Sequence, residues 1–93
     1  MTTTKQENIK NTNKETKHQV TVYSTEHCPW CHRLKDFLKQ NKVEFKDYNV
    51  GEDQKALQEM IHKSGQMGVP VIDIDGKIIV GFDVVTIKKA LEI

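Results

Sequence analysis

Val20-Thr21-Val22-Tyr23-Ser24-Thr25-Glu26-His27-Cys28-Pro29-Trp30-Cys31 is the stretch that decides the architecture. Its first five residues alternate apolar and polar and carry β-branched side chains, which reads as a strand. Thr25 to His27 turn the chain. Pro29 suits the first position of a helix, where its missing N–H leaves nothing unpaired. From there Trp30 or Cys31, Leu34, Phe37 and Leu38 recur at helical spacing, with Lys35, Lys39 and Gln40 on the outer face.

Outward from this unit the pattern continues in kind. Val43 to Asn49 reads as a second strand, with Val43 and Phe45 on one face. Gly51-Glu52-Asp53 opens a second helix with an apolar stripe of Leu57, Met60 and Ile61, and Gly65 ends it. Val69-Pro70-Val71-Ile72-Asp73-Ile74 and Lys77-Ile78-Ile79-Val80 flank Asp75-Gly76, a preferred pair for a tight hairpin turn. Asp83 can cap a last helix that turns Val84, Ile87 and Leu91 inward. The order is β-α-β-α-β-β-α. The first two strands, joined through a helix, are expected to be parallel with a right-handed crossover, and the last two to form an antiparallel hairpin. This predicts an α/β protein built on one mixed sheet of four strands with helices on its faces.

The chain has 93 residues, room for one small domain. Only Met1 and Ile9 are apolar within positions 1–19, whereas 32 of the 74 residues from Val20 to Ile93 are. A disordered polar tail is therefore expected over 1–18, because it has too little to bury to offset the entropy of ordering. The folded domain is expected over 19–93. Its ten Lys/Arg nearly balance eleven Asp/Glu, and the tail adds four Lys against two Glu. Such a balance supplies no electrostatic footprint for nucleic acid or an anionic membrane. No apolar run approaches the roughly 18 residues of a membrane span. The N-terminus also lacks the apolar core of a secretory signal, so a cytoplasmic location is expected; the protein is expected to be a monomer.

Only two cysteines occur, Cys28 and Cys31, at the start of the first helix. Their spacing puts both sulfurs on one helical face, within disulfide reach after local adjustment. Cys28 sits where unpaired N–H groups and the positive end of the helix dipole favour thiolate over thiol. Cys31 lies one turn in, with more burial and less of that help. A division of labour follows, with Cys28 as exposed nucleophile and Cys31 as resolving thiol. Three other readings compete. A static disulfide closing so short a loop adds little stability, and a reducing compartment would open it. Zinc is suggested by His27-Cys28-Pro29-Trp30-Cys31-His32, but adjacent Cys–His pairs do not readily close one tetrahedron, and His18 and His62 stand apart. Haem attachment matches Cys28-Pro29-Trp30-Cys31-His32 literally, yet it usually belongs to exported proteins. Thiol redox chemistry, with no metal, fits the context best.

Three features in this order give a resemblance: Cys28-Pro29-Trp30-Cys31, then Gly65-Gln66-Met67-Gly68-Val69-Pro70, then Asp75-Gly76-Lys77 leading to Gly81-Phe82-Asp83. Over about Gln19 to Ile93 the chain resembles a glutaredoxin, and in particular the small bacterial glutaredoxin-like proteins of the YruB and NrdH types. The resemblance implies a thioredoxin fold and thiol–disulfide oxidoreductase activity on protein or glutathione mixed disulfides. It implies no tightly bound cofactor, with glutathione as co-substrate. It also implies a cis peptide bond before Pro70, facing the cysteine pair, with the Val69 backbone free to pair with a bound peptide or glutathione as an added strand would. Thr25, Trp30, Gln66, Gly81, Phe82 and Asp83 complete the implied binding set: Trp30 as a contact surface, Gln66 at a glutathione-site position, and Asp83 as a carboxylate for the ligand's ammonium.

Departures from the glutathione-using pattern matter equally. Thr25 stands where many glutaredoxins carry Lys or Arg, Gly68 where they often have Thr, and Val80-Gly81 where they commonly show Gly-Gly. The Gly81-Phe82 pair resembles NrdH-type redoxins, which implies an alternative: reduction by thioredoxin reductase and electron donation to ribonucleotide reductase.

Overall fold

The computed structural model describes residues 18–93. Of the polar tail expected over 1–18, only His18 falls within them; the rest lies outside the described residues. His18, which stands apart in sequence, pairs through Nδ1 with the Asp75 carboxylate, and Asp75 also accepts the Gln19 N–H at 2.7 Å. Both contacts hold the Asp75 carboxyl below the usual carboxylate range, the His18 bond most of all.

The elements are β1 (Val20–Ser24), α1 (Pro29–Gln40), β2 (Lys46–Asn49), α2 (Gln54–Ser64), β3 (Val71–Ile74), β4 (Lys77–Val80) and α3 (Val84–Leu91). The sheet order is β2-β1-β3-β4. β1 pairs parallel with β2 and antiparallel with β3, and β3 pairs antiparallel with β4. Topology and element order are those expected. Asp75 and Gly76 both take positive φ, 53° and 91°, as a two-residue hairpin of type I′ requires.

Each helix starts and stops by local chemistry. Asp53 and Asp83 cap α2 and α3 through the N–H groups of Ala56 and Thr86, and Gly65 closes α2 at φ 71°. One face of the sheet packs Val20, Val22, Ile72, Ile74 and Ile79 against Leu34 and Leu38 of α1 and Ile87 and Leu91 of α3. The other face packs Tyr23 and Val71, with Val50, against Ala56 and Met60 of α2.

Several boundaries and faces differ from expectation. β2 begins at Lys46, not Val43, because among the described residues it ladders only with β1, in a register that starts at Thr21 opposite Lys46. Before it, Lys42 takes φ 59° and the Val43 N–H donates to the Leu38 carbonyl, so that segment finishes α1 instead of pairing in the sheet. β3 begins at Val71, not Val69, since Pro70 has no N–H for a ladder. On α2 the buried residues are Ala56 and Met60, while Leu57 and Ile61 are half-buried. Val84 is likewise only half-buried. In α1 it is Cys31 that turns inward and Trp30 that turns out.

A polar network ties the α2 layer to the sheet. The buried Tyr23 hydroxyl donates to Glu59 Oε1 at 3.0 Å and accepts from Lys63 Nζ at 2.9 Å; Lys63 also reaches Asp73 Oδ2 at 2.8 Å. Burial pushes the Tyr23 phenol up from its ordinary 10.0. Hydrogen bonds to Asp73 and Tyr23 push the Lys63 ammonium up from 10.5. Both groups hold their protons more tightly in the folded state than in the unfolded chain. Their contribution is therefore complete below pH about 10 and is lost as pH rises through the folded values. The urea midpoint of the oxidised protein is expected to fall as pH rises above about 10, and to fall less steeply in Tyr23→Phe. Parallel declines in the two proteins would remove Tyr23 from the account.

Candidate active site

The turn after β1 delivers Cys28 to the N-cap of α1, with extended backbone at φ −115° and ψ 104°. Cys28 Sγ accepts the Cys31 N–H at 3.1 Å, so the sulfur takes the place of the oxygen of an ordinary capping side chain. Cys28 and Cys31 are paired as a disulfide with Cα atoms 5.2 Å apart. Their environments differ as the helix positions require. Cys28 is half-buried at the surface, and Cys31 is fully buried beneath α1 in line with Leu34 and Leu38.

The bond between Val69 and Pro70 is cis. Pro70 is buried, and its carbonyl accepts the Gly81 N–H at 2.8 Å, which pins the end of β4 to the start of β3. Gly81 makes this turn at φ 86°, a conformation that favours glycine. Among the described residues Val69 N–H and C=O make no hydrogen bond.

The remaining sequence-derived site residues fall into three groups. Thr25 lines a cleft of about 270 Å³ with Glu26, His27, Asn49, Gly51 and Glu52, beside the cysteine turn. Trp30 is 56% exposed, with the Arg33 guanidinium 4.8 Å from its ring centroid. These two lie at the surface near Cys28. Phe82 and Asp83, by contrast, serve the body of the fold. The Phe82 ring meets Phe37 edge-on at 5.7 Å and packs on the α1–α3 core. Asp83 accepts the Thr86 N–H at 3.2 Å and the Thr86 hydroxyl at 2.8 Å, and these bonds hold its carboxyl below the ordinary range. The Gln66 side chain folds back on its own loop, accepting the Gly68 N–H at 2.6 Å.

Sequence reasoning missed one polar cluster next to this site. Lys35 was expected on the outer face of α1. Its ammonium instead reaches Asp47 Oδ2 at 2.9 Å and lies 3.5 Å from Ser24 Oγ, and the buried Ser24 hydroxyl donates to Asp47 Oδ1 at 2.8 Å. The trio joins the ends of β1 and β2 to the helix one turn past Cys31. Its only signal in sequence is a Lys four residues after a buried cysteine, which without β2 in place has no visible partner. Among the described residues no group of three or more His, Cys, Asp or Glu side chains is arranged to hold a metal ion. No helix among them is long and apolar enough to cross a membrane.

Comparison with known proteins agrees with this geometry. The glutaredoxin family model matches residues 20–79. The chain is 49% identical over 73 residues to the glutaredoxin-like 8.6 kDa protein of the Clostridium pasteurianum rubredoxin operon, covering 78% of this chain and 97% of that one. It is 39% identical over 64 residues to glutaredoxin 3 of Escherichia coli K12, covering 69% and 77%. The crystal structure of a glutaredoxin from Archaeoglobus fulgidus superposes with a TM-score of 0.73 at 26% identity, over 78% of this chain and 85% of that one. With a thioredoxin fold, a Cys-Pro-Trp-Cys pair at a helix start and a cis proline after α2, the chain belongs to the glutaredoxin family.

Proposed function

We propose that this protein reduces disulfides by dithiol exchange, with Cys28 as nucleophile and Cys31 as resolving thiol. The observation that carries the reading is the asymmetry of the pair. Cys28 is accessible and its sulfur already accepts a helix N–H, while Cys31 is enclosed. Once reduced, Cys28 keeps that donor, which favours the thiolate. The thiolate attacks one sulfur of a substrate disulfide, forming a Cys28 mixed disulfide and releasing the other sulfur as a thiolate that takes a proton from solvent. Cys31 then gives up its proton and attacks Cys28 Sγ. The second substrate thiol leaves, and two electrons have passed from the dithiol to the substrate. Val69 supports the reading as well, since its unused N–H and C=O suit pairing with an extended substrate segment next to Pro70.

Glutathione serves as the reductant in the primary reading, and the site of action is a reducing compartment such as the cytoplasm. Thr25 in place of a cation and the Gly81-Phe82 pair favour a second reading, an NrdH-like redoxin reduced by thioredoxin reductase. The test is NADPH consumption with a mixed-disulfide substrate, run once with glutathione plus glutathione reductase and once with thioredoxin reductase alone. Turnover in the first assay is expected on the glutathione reading. Turnover confined to the second selects the NrdH-like one, and turnover in neither removes both.

A further inference from the structure

Gly65 still donates its N–H to the Ile61 carbonyl of α2 at 2.8 Å, and the four residues from Gln66 to Val69 then carry the chain to Pro70 outside any helix or ladder. Gln66 supplies the missing partners. Its Oε1 accepts the Gly68 N–H at 2.6 Å, and its Nε2 donates to the Gly68 carbonyl at 3.0 Å. One side-chain amide thus takes both backbone groups of the residue two places on, as a neighbouring strand would. The same Nε2 lies 3.1 Å from Ser64 Oγ, and that hydroxyl lies 2.7 Å from the Met60 carbonyl in the last turn of α2. The clamp is therefore anchored to a helix. The clamp also depends on a glycine at 68: a Cβ there would stand 2.7 Å from Gln66 Oε1, so the Gln66 side chain would have to move off the Gly68 N–H.

A primary amide has two N–H donors, and here one goes to Gly68 and the other to Ser64. A ligand carboxylate is an acceptor and needs a donor, so Gln66 has none to give without first opening the loop. From this geometry we infer that Gln66 is a positioning residue and not a ligand for glutathione. It fixes the 65–69 segment so that Val69 presents a free N–H and C=O, and so that Met67, 68% exposed, stands out from the clamped backbone. Val69 and Met67, with the exposed Trp30, offer backbone pairing and apolar contact. Those features suit an extended polypeptide bearing the disulfide better than a small, highly charged tripeptide with two carboxylates. The inference rests on the proposed exchange at Cys28 and names its substrate class.

The experiment uses the pre-reduced full chain, wild type against Gln66→Ala and Gly68→Ala. Each is oxidised in single turnover by oxidised glutathione and, separately, by insulin, with Trp30 fluorescence as the signal. Amide hydrogen exchange at residue 68 is followed by NMR. For both variants the expected result is about tenfold faster exchange, the factor one net hydrogen bond is worth. Rate constants should fall several-fold with both oxidants alike, and the wild type should prefer insulin. Four results would overturn the inference: unchanged exchange, unchanged rates, a Gln66→Ala loss confined to glutathione, or a wild type oxidised faster by glutathione than by insulin. A wild type oxidised by neither reagent would remove the thiol-exchange reading instead, while the exchange data would still report whether the clamp exists.

Discussion

Replacing Cys28 with serine is expected to lower disulfide reduction by at least about a thousandfold, to the level of the uncatalysed reaction. The serine oxygen can still cap α1 by accepting the residue 31 N–H, as Cys28 Sγ does at 3.1 Å, so the fold should stand. What disappears is the nucleophile, because a hydroxyl at this position stays protonated near neutral pH and forms no mixed disulfide. Cys31→Ser makes the complementary prediction. Cys28 still attacks, but nothing resolves the product, so a stable mixed disulfide with substrate should accumulate and be visible by intact-protein mass spectrometry without reductant. Full turnover in Cys28→Ser, or no trapped adduct in Cys31→Ser, would reverse the assigned order of attack. The half-buried position of Cys28 at the surface and the enclosed position of Cys31 are the reason for that order.

Leu34→Ala is expected to cost about 3 kcal/mol of folding stability. Leu34 is fully buried one turn beyond Cys31 and packs among Val22, Leu38, Ile72 and their neighbours. A domain of this size has roughly 4–11 kcal/mol in total, so the loss is a large share of it. The melting temperature should drop by about 10 °C or more. Leu57→Ala, at a half-buried position on α2, should cost much less. The two variants together test whether the α1 layer is the mechanical support of the cysteine pair. Equal costs would place that support elsewhere.

The most legible parts of the fold are those whose causes lie within a few residues. Asp53 and Asp83 cap, Gly65 terminates and Asp75-Gly76 turns because each satisfies local backbone groups or a local φ. The start of β2 was not legible, because Val43 has a strand-like side chain but, by the register of Thr21 with Lys46, falls opposite residues that precede β1. Ala56 carries a weaker apolar signal than Ile61, and apolarity alone does not reveal which face of α2 lies nearest the sheet. Lys35 read as solvent-exposed until β2 brought Asp47 alongside it.

The same division runs through the candidate site. Sequence alone determined the cysteine pair, its place at the start of a helix, the proline after α2 and the chemistry these permit. All of that depends on spacing along one chain and on the identity of a few side chains. Tertiary structure decided which partners the other groups have. Phe82 packs on Phe37, Asp83 spends both oxygens on Thr86, and Gln66 spends both N–H groups on Gly68 and Ser64. A side chain can offer its donors and acceptors to a ligand only if the fold has not already used them. That depends on distances set by residues far apart in the chain and on loop geometry, neither of which the identity of a single residue carries.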